Sequence, residues 1–428
     1  MADSVPTPLP SARPPVQGSA LAPLREPLFR SLWFAAVISY IGTWMQNVGA
    51  GWLMTQLTMS KPEAPLMVGL VQAATTLPVF LVILPAGALA DMVDRRRLLL
   101  MTQAWMVVSA GLLGICTLLG YVTPWTLLVF TFILGLGSVM NDPAWQAITP
   151  EVVCAENHAP AVALNSVGFN VARAIGPALG GLVIAVTNSG VAFLMNATSF
   201  FGVIFFLYRW KRVKPEAPRS DRVFDSMRAG FRYVWATPLV HCVLIRTGAF
   251  SVAASSLLAL LPLIARHCEL GATGYGLLLG SFGLGALAGA GLLSRLKSYY
   301  SVDRVVAAAI VVFALMTFAA GQAHAFPSLA LILFLSGAAW IGILACLNVA
   351  AQTMSPPWMR ARALSMYLLI LQGGMAVGSA AWGALATKYG LPTTMLLSSL
   401  ALIAGLGTVR KYPLSSSELD LAPAVVRD

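Results

Sequence analysis

Three groups of residues have the types and spacing to do chemistry, and each concerns charge in apolar surroundings. The stretch GALADMVDRRRLL places Gly87, Asp91, Asp94, Arg95, Arg96 and Arg97 directly after a hydrophobic run. A carboxylate four residues beyond a glycine, followed by three guanidinium groups, can make ion pairs that form and break as helix ends move. Asp142, in VMNDPAWQAI, is read as the only acid within an apolar run and so as a partner for such a switch. Arg173, in FNVARAIGPALGG, could hold an anion. Nothing here points to bond-breaking chemistry. G-x-x-x-x-G-K-[ST], H-E-x-x-H and G-x-S-x-G contexts are missing, so neither an enzyme nor an ATP-driven machine is expected. No cofactor or metal is implied.

These residues need a scaffold, and composition names its solvent. Hydrophobic residues make up 58% of the 428 and charged residues 10%, against ~45–50% and ~25% in soluble proteins. One globular core could not hide that much apolar surface, so lipid is the expected surrounding. A spanning helix needs ~20 mostly apolar residues. Twelve segments qualify: 30–54, 67–90, 98–120, 125–147, 161–186, 190–210, 240–265, 273–294, 303–322, 327–352, 363–387 and 391–410. The fold class expected is an all-α membrane protein. The polar stretch 209–238 divides the spans into two sets of six and is expected to hold an amphipathic segment near Phe224–Trp235. The organisation is then a flexible tail (1–27), a six-helix half (28–210), a linker (211–238), a second half (239–411) and a tail (412–428). The Pro-, Ser- and Ala-rich start has no apolar core and reads as a tail rather than a signal peptide.

Charge orients the bundle. An even number of spans puts both termini on one side, and that side carries 22 of the 27 Lys and Arg against three opposite. Such a bias marks the cytoplasmic face. It also accounts for the net charge of +11 without nucleic acid, since no basic stripe with interleaved aromatics appears. The five cysteines are scattered and read as packing residues.

The halves echo each other. WQAITPE (145–151) closes span 4 as AAQTMSPP (350–357) closes span 10, and ALNSVGF (163–169) opens span 5 as ALSMYLL (363–369) opens span 11. Duplicated halves around a site near the bilayer midplane are a transporter plan. Within it, the charged loop resembles the loop 2–3 signature of the major facilitator superfamily, roughly G-x-x-x-D-[RK]-x-G-R-[RK]. Gly87, Asp91, Arg95 and Arg96 match; Met92 and Asp94 depart from it. With FNVARAIGPALGG on span 5, the variant is similar to the enterobactin-exporter-like (transmembrane secretion effector) branch.

The resemblance implies two pseudo-symmetric halves and a latch. Asp91 would face the start of span 11, and Arg95 or Arg96 would pair with Asp142 when the protein is open to the outside. Gly168, Gly176, Pro177, Gly180 and Gly181 resemble the exporter motif of span 5, where that helix meets span 8. A cavity lined by spans 1, 4, 7 and 10 would use Tyr40, Trp44, Asn47, Phe132, Arg246 and Asn348. Arg173 lies twelve residues into span 5, about 18 Å deep at 1.5 Å per residue. A charge there costs at least ~2.5–3.5 kcal/mol, so it should face a cavity or a partner. An anion or gating role and structural pairing with groups such as Asn170 both stay open.

The function implied is secondary export of a small amphipathic or anionic compound, siderophore-like or drug-like, from a bacterial cytoplasm across the inner membrane. Rocker-switch alternating access by a monomer, with protons as a partner, belongs to the same expectation. Metabolite import or facilitation, and a lysolipid-type flippase, are the alternatives. One absence bears on coupling: Thr131 stands where many proton-driven exporters carry an arginine four residues before a glycine, here Gly135. Proton coupling therefore rests on resemblance.

Overall fold

The computed structural model describes residues 20–210, 238–356 and 359–412. The Phe224–Trp235 segment and most of both tails lie outside those residues. Among the described residues, twelve helices of apolar composition are long enough to cross a membrane. They are α1 (Pro27–Leu57), α2 (Ala64–Met92), α3 (Arg95–Leu118), α4 (Pro124–Ile148), α5 (His158–Val186) and α6 (Ser189–Arg209), then α7 (Pro238–His267), α8 (Gly271–Tyr299), α9 (Val302–Ala320), α10 (Phe326–Thr353), α11 (Arg360–Tyr389) and α12 (Leu391–Gly405). Most expected spans sit inside these helices. The main difference is at the end, where α12 breaks at Leu406 before a short helix, Gly407–Lys411.

Local chemistry sets the ends. Pro27 and Pro124 occupy first-turn positions, where a missing N–H costs nothing. Thr123 and Thr126 form a reciprocal capping box at the start of α4. Asp94, one of the two departures from the loop signature, caps α3 by accepting from the Arg97 N–H at 3.0 Å. Such a cap contributes about 1 kcal/mol. Gly120 (φ +75°) closes α3, and Gly390 (φ +79°) joins α11 to α12.

The packing repeats with a period of six helices. In the first half α1 packs on α5 and α6, α4 on α2 and α3, and α3 on α6. In the second, α7 packs on α11 and α12, α10 on α8 and α9, and α9 on α12. Buried polar links recur too: Asn196 Nδ2 donates to Gln46 Oε1 at 2.5 Å between α6 and α1, and Ser256 meets Ser398 at 2.5 Å between α7 and α12. The halves join mainly through α2 with α11 and α5 with α8, two pairs exchanged by the same symmetry.

These joints gather on the face opposite Arg95–Arg97. Leu66 N–H donates to Thr387 Oγ1 at 3.2 Å. Arg266 donates to the Thr55 carbonyl at 3.1 Å, and Trp52 stacks on Tyr275 at 6.3 Å. Toward the basic face, α4 and α5 make no extensive contact with α10 among the described residues. Among the described residues the joints between the halves thus lie toward the face opposite the basic one.

Candidate substrate cavity and gates

Helical spacing puts Tyr40, Trp44 and Asn47 on one stripe of α1, and Phe169 and Arg173 one turn apart on α5. The Phe169 ring meets Tyr40 edge-on at 5.5 Å and Trp44 at 6.3 Å. The Arg173 guanidinium lies 5.9 Å from the Trp44 ring centre and 5.8 Å from that of Phe282 on α8. One cation is thus held between a ring from each half.

This arrangement borders a central cavity of about 430 Å³, lined by Trp44, Asn47, Gln72, Thr75, Phe169, Arg173, Tyr275, Phe282, Trp340 and Gln372 among others. Each cation–π contact contributes ~0.5–2 kcal/mol, which offsets part of the ~2.5–3.5 kcal/mol cost of depth. Neither ring accepts the five N–H bonds of a guanidinium. Arg173 has no hydrogen bond or ion pair with a described residue. Asn170, the structural partner considered from sequence, instead donates to the Ser166 carbonyl at 2.8 Å.

Trp44, Asn47, Thr75, Phe169 and Gln372 also border a cavity of about 240 Å³ that enters the first half and reaches Tyr40, Ser138 and Asp142. Asp142 is exposed to this interior rather than to the basic surface. A larger concavity, about 700 Å³, lies on the outer flank between α1 and α6 and is lined by Phe34, Ile38 and Met195. Its exposed apolar walls suit lipid, and it shares no residue with the central cavity.

At the basic face the arginines are engaged elsewhere. Arg95 Nη1 pairs with Glu151 Oε1 at 3.0 Å and donates to the Ala147 carbonyl at 3.1 Å. Arg96 donates to the carbonyls of Leu207 and Tyr208 at 2.8 and 2.6 Å, at the C-terminal end of α6 where the helix dipole favours a cation. Neither meets Asp142 here, and that pair was expected only of the form closed on this face. Glu151, in the turn after α4, is the acid sequence reasoning overlooked. Gly87 and Asp91 fall in the last turns of α2, where the side chains lie outside the described residues.

The span-5 glycines divide between two neighbours. Gly168, Gly176 and Gly180 face Trp33, Trp44 and Met45 of α1, whereas Gly181 lies against Ala272 and Gly276 of α8. A Cβ on Gly181 would approach the Ala272 carbonyl to 2.5 Å, and one on Gly276 would strike the Pro177 carbonyl. Gly283 lies against Ala174 in the same seam, while Gly285 and Gly289 face α10. Backbones this close need residues without a Cβ.

Three expected cavity residues sit elsewhere. Arg246 is 3% exposed, pairs with Asp303 at the start of α9 and donates to the Tyr412 carbonyl at 3.2 Å. The acid that neutralises it opens span 9 and is 57 residues away, so spacing gave no hint. Asn348 accepts from Gln352 Nε2 at 2.6 Å along α10. Neither Asn348 nor the half-buried Phe132 lines the central cavity. Both were placed by a family-wide choice of helices, whereas α2, α5, α8 and α11 supply much of the wall. Gln72 and Gln372 were missed; an amide inside an otherwise apolar span was the available signal.

The model of the transmembrane secretion effector family matches residues 18–426. Enterobactin exporter EntS of Shigella boydii serotype 18 is 27% identical over 269 residues, 62% of this chain and 62% of that one. Its namesake from Escherichia coli O1:K1 is 26% identical over the same extent. The matched region therefore spans less than two thirds of those relatives. Among solved structures, an inward-facing, occupied bacterial homolog of the human lysosomal transporter Spinster has a TM-score of 0.73 at 12% identity, covering 91% of this chain and 97% of that one. A D-xylose–proton symporter gives 0.70 at 12% identity, covering 90% and 98%. At such identity the likeness is one of fold.

Proposed function

The chain belongs to the transmembrane secretion effector family and has the major facilitator fold, and from that premise we propose that it exports an anionic compound with an aromatic or amphipathic body. It is a multi-pass membrane transporter, and the bacterial inner membrane is the setting its relatives imply. The observation that carries the substrate class is Arg173, a cation at bilayer depth with ring contacts and no acid. An anion entering the central cavity would supply the missing acceptors, and Trp44, Phe169 and Phe282 would cover its apolar part. A cavity of about 430 Å³ falls in the ~300–1,000 Å³ range of small-molecule sites. Enterobactin, carried by the relatives according to their names, belongs to this class.

The proposed cycle is a rocker switch. With the basic face cytoplasmic, the form described is inward-open, loading from the cytoplasm. The seam of Gly181, Gly276 and Gly283 would be the pivot. Arg95, released from Glu151, would close on Asp142 as the basic face shuts, and Asp91 would meet the start of α11. Protons are the proposed coupling partner.

Uptake of enterobactin into everted membrane vesicles tests this. Wild-type vesicles should accumulate it without ATP, an uncoupler should abolish accumulation, and Arg173→Met should reduce it to the background of vesicles lacking the protein. Equal uptake by Arg173→Met would overturn the substrate class, and release in place of uptake would overturn export.

A further inference from the structure

The first half contains a small polar compartment around Asp142, a residue the proposed cycle engages only when the basic face shuts. It measures about 130 Å³ and is bordered by Asp142 and Trp145 of α4, Tyr40 and Thr43 of α1, Gln103 of α3 and Phe169 of α5. At ~30 Å³ per water it has room for about four.

Its walls offer negative charge and free acceptors without a cation. Asp142 has no hydrogen bond or ion pair with a described residue. Gln103 is 3% exposed, and its orientation is fixed: Asn141 Oδ1 accepts from Gln103 Nε2 at 3.0 Å and from Thr102 Oγ1 at 3.3 Å. Turning the Gln103 amide over would set two oxygens face to face. Gln103 Oε1 is therefore left as a buried acceptor with no partner. Thr43 spends its proton on the Ser39 carbonyl at 3.0 Å and presents only lone pairs. The donors at hand, the hydroxyls of Tyr40, Ser39 and Ser138, the Asn141 amide nitrogen and the unpartnered Trp145 Nε1, are neutral.

No described neighbour supplies the missing charge. On α3, Arg95 and Arg96 are turned to Glu151 and to the α6 carbonyls. On α5, Arg173 lies beyond Phe169 toward Trp44 and Phe282. The α6 wall is Phe200 and Val203, and Tyr40 is the only titratable group α1 presents. A carboxylate with an oriented amide oxygen and hydroxyls is an all-oxygen ligand set, suited to a small hard cation.

We infer that this compartment binds one monovalent cation, a proton or Na⁺, on Asp142 with Gln103 as the second anchor. As a coupling site it rests on the transport reading above; the binding itself does not. Phe169 borders both this pocket and the Arg173 cavity, and the 240 Å³ cavity that reaches Asp142 shares Trp44, Asn47, Thr75 and Gln372 with the latter, so the two sites are neighbours.

The test uses the purified full chain in nanodiscs without substrate. One arm measures ²²Na⁺ binding by equilibrium dialysis at pH 8. The other follows tryptophan fluorescence, with Trp145 in the pocket wall, against pH in sodium-free choline buffer. Saturable Na⁺ binding that weakens at least tenfold in Asp142→Asn identifies sodium. A one-proton fluorescence transition lost in Asp142→Asn, with no saturable Na⁺ binding, identifies the proton. Gln103→Leu should weaken or shift the same signal severalfold, and decides the matter if Asp142→Asn does not fold. Signals unchanged by both substitutions, or absent from the wild type, overturn the inference. An importer would give the same binding results and fail only the vesicle assay, so the two readings fall separately.

Discussion

Replacing Arg173 by methionine should weaken binding and leave stability close to that of the wild type. The side chain keeps its bulk and loses its charge and its place between Trp44 and Phe282. A hydrogen bond to a charged group contributes ~1.5–3 kcal/mol, which at ~1.4 kcal/mol per tenfold is a loss of roughly 10- to 150-fold in affinity for an aromatic anion. Stability should change little. The variant gives up two cation–π contacts of ~0.5–2 kcal/mol each, but it also removes a charge costing ~2.5–3.5 kcal/mol at bilayer depth. The net change lies between a loss of ~1.5 and a gain of ~2.5 kcal/mol. A purely structural arginine would behave otherwise, since removing one partner of a buried pair costs ~3–5 kcal/mol. Arg173→Lys should fall between, keeping charge and losing the planar stack. Enterobactin quenching of tryptophan fluorescence reads the affinity, and thermal unfolding in detergent reads the stability. Unchanged quenching together with a lowered Tm would refute the argument.

Asp303→Asn should destabilise the second half by ~3–5 kcal/mol, because Arg246 stays buried without its counter-charge. Thermal unfolding checks this, and Arg246→Met with Asp303→Leu should recover most of the loss. Gly181→Val should cost ~1–3 kcal/mol through the clash with Ala272 and slow vesicle uptake, whereas Gly291→Val, with open space around it, should do neither. Cys154 is exposed on the basic face. An impermeant maleimide should label it in everted vesicles and spare it in intact cells; the reverse would invert the orientation.

Much of the architecture was legible because membrane spans are defined by composition over ~20 residues. The expected segment 98–120 and the observed α3 (Arg95–Leu118) differ only at their ends. The ends moved because capping is local: Asp94 starts α3 three residues before the apolar run begins to count. The site was half legible. Of the residues expected at a cavity, Trp44, Asn47 and Arg173 border the central one and Tyr40 the smaller ones beside it. Arg246 was expected there too and is a paired residue in another part of the bundle.

The sequence by itself determined the solvent, the number of spans, the basic face and the presence of a charge that demands an answer. All of these follow from side-chain transfer energies summed along the chain. Tertiary structure decided which charges are answered. Arg246 and Asp303, or Arg95 and Glu151, are neighbours only because helices distant in sequence pack together. Arg173 and Asp142 stand apart because the same packing turns them into cavities. An ion pair depends on a few ångströms between two chain positions, and no periodicity along one helix carries that distance.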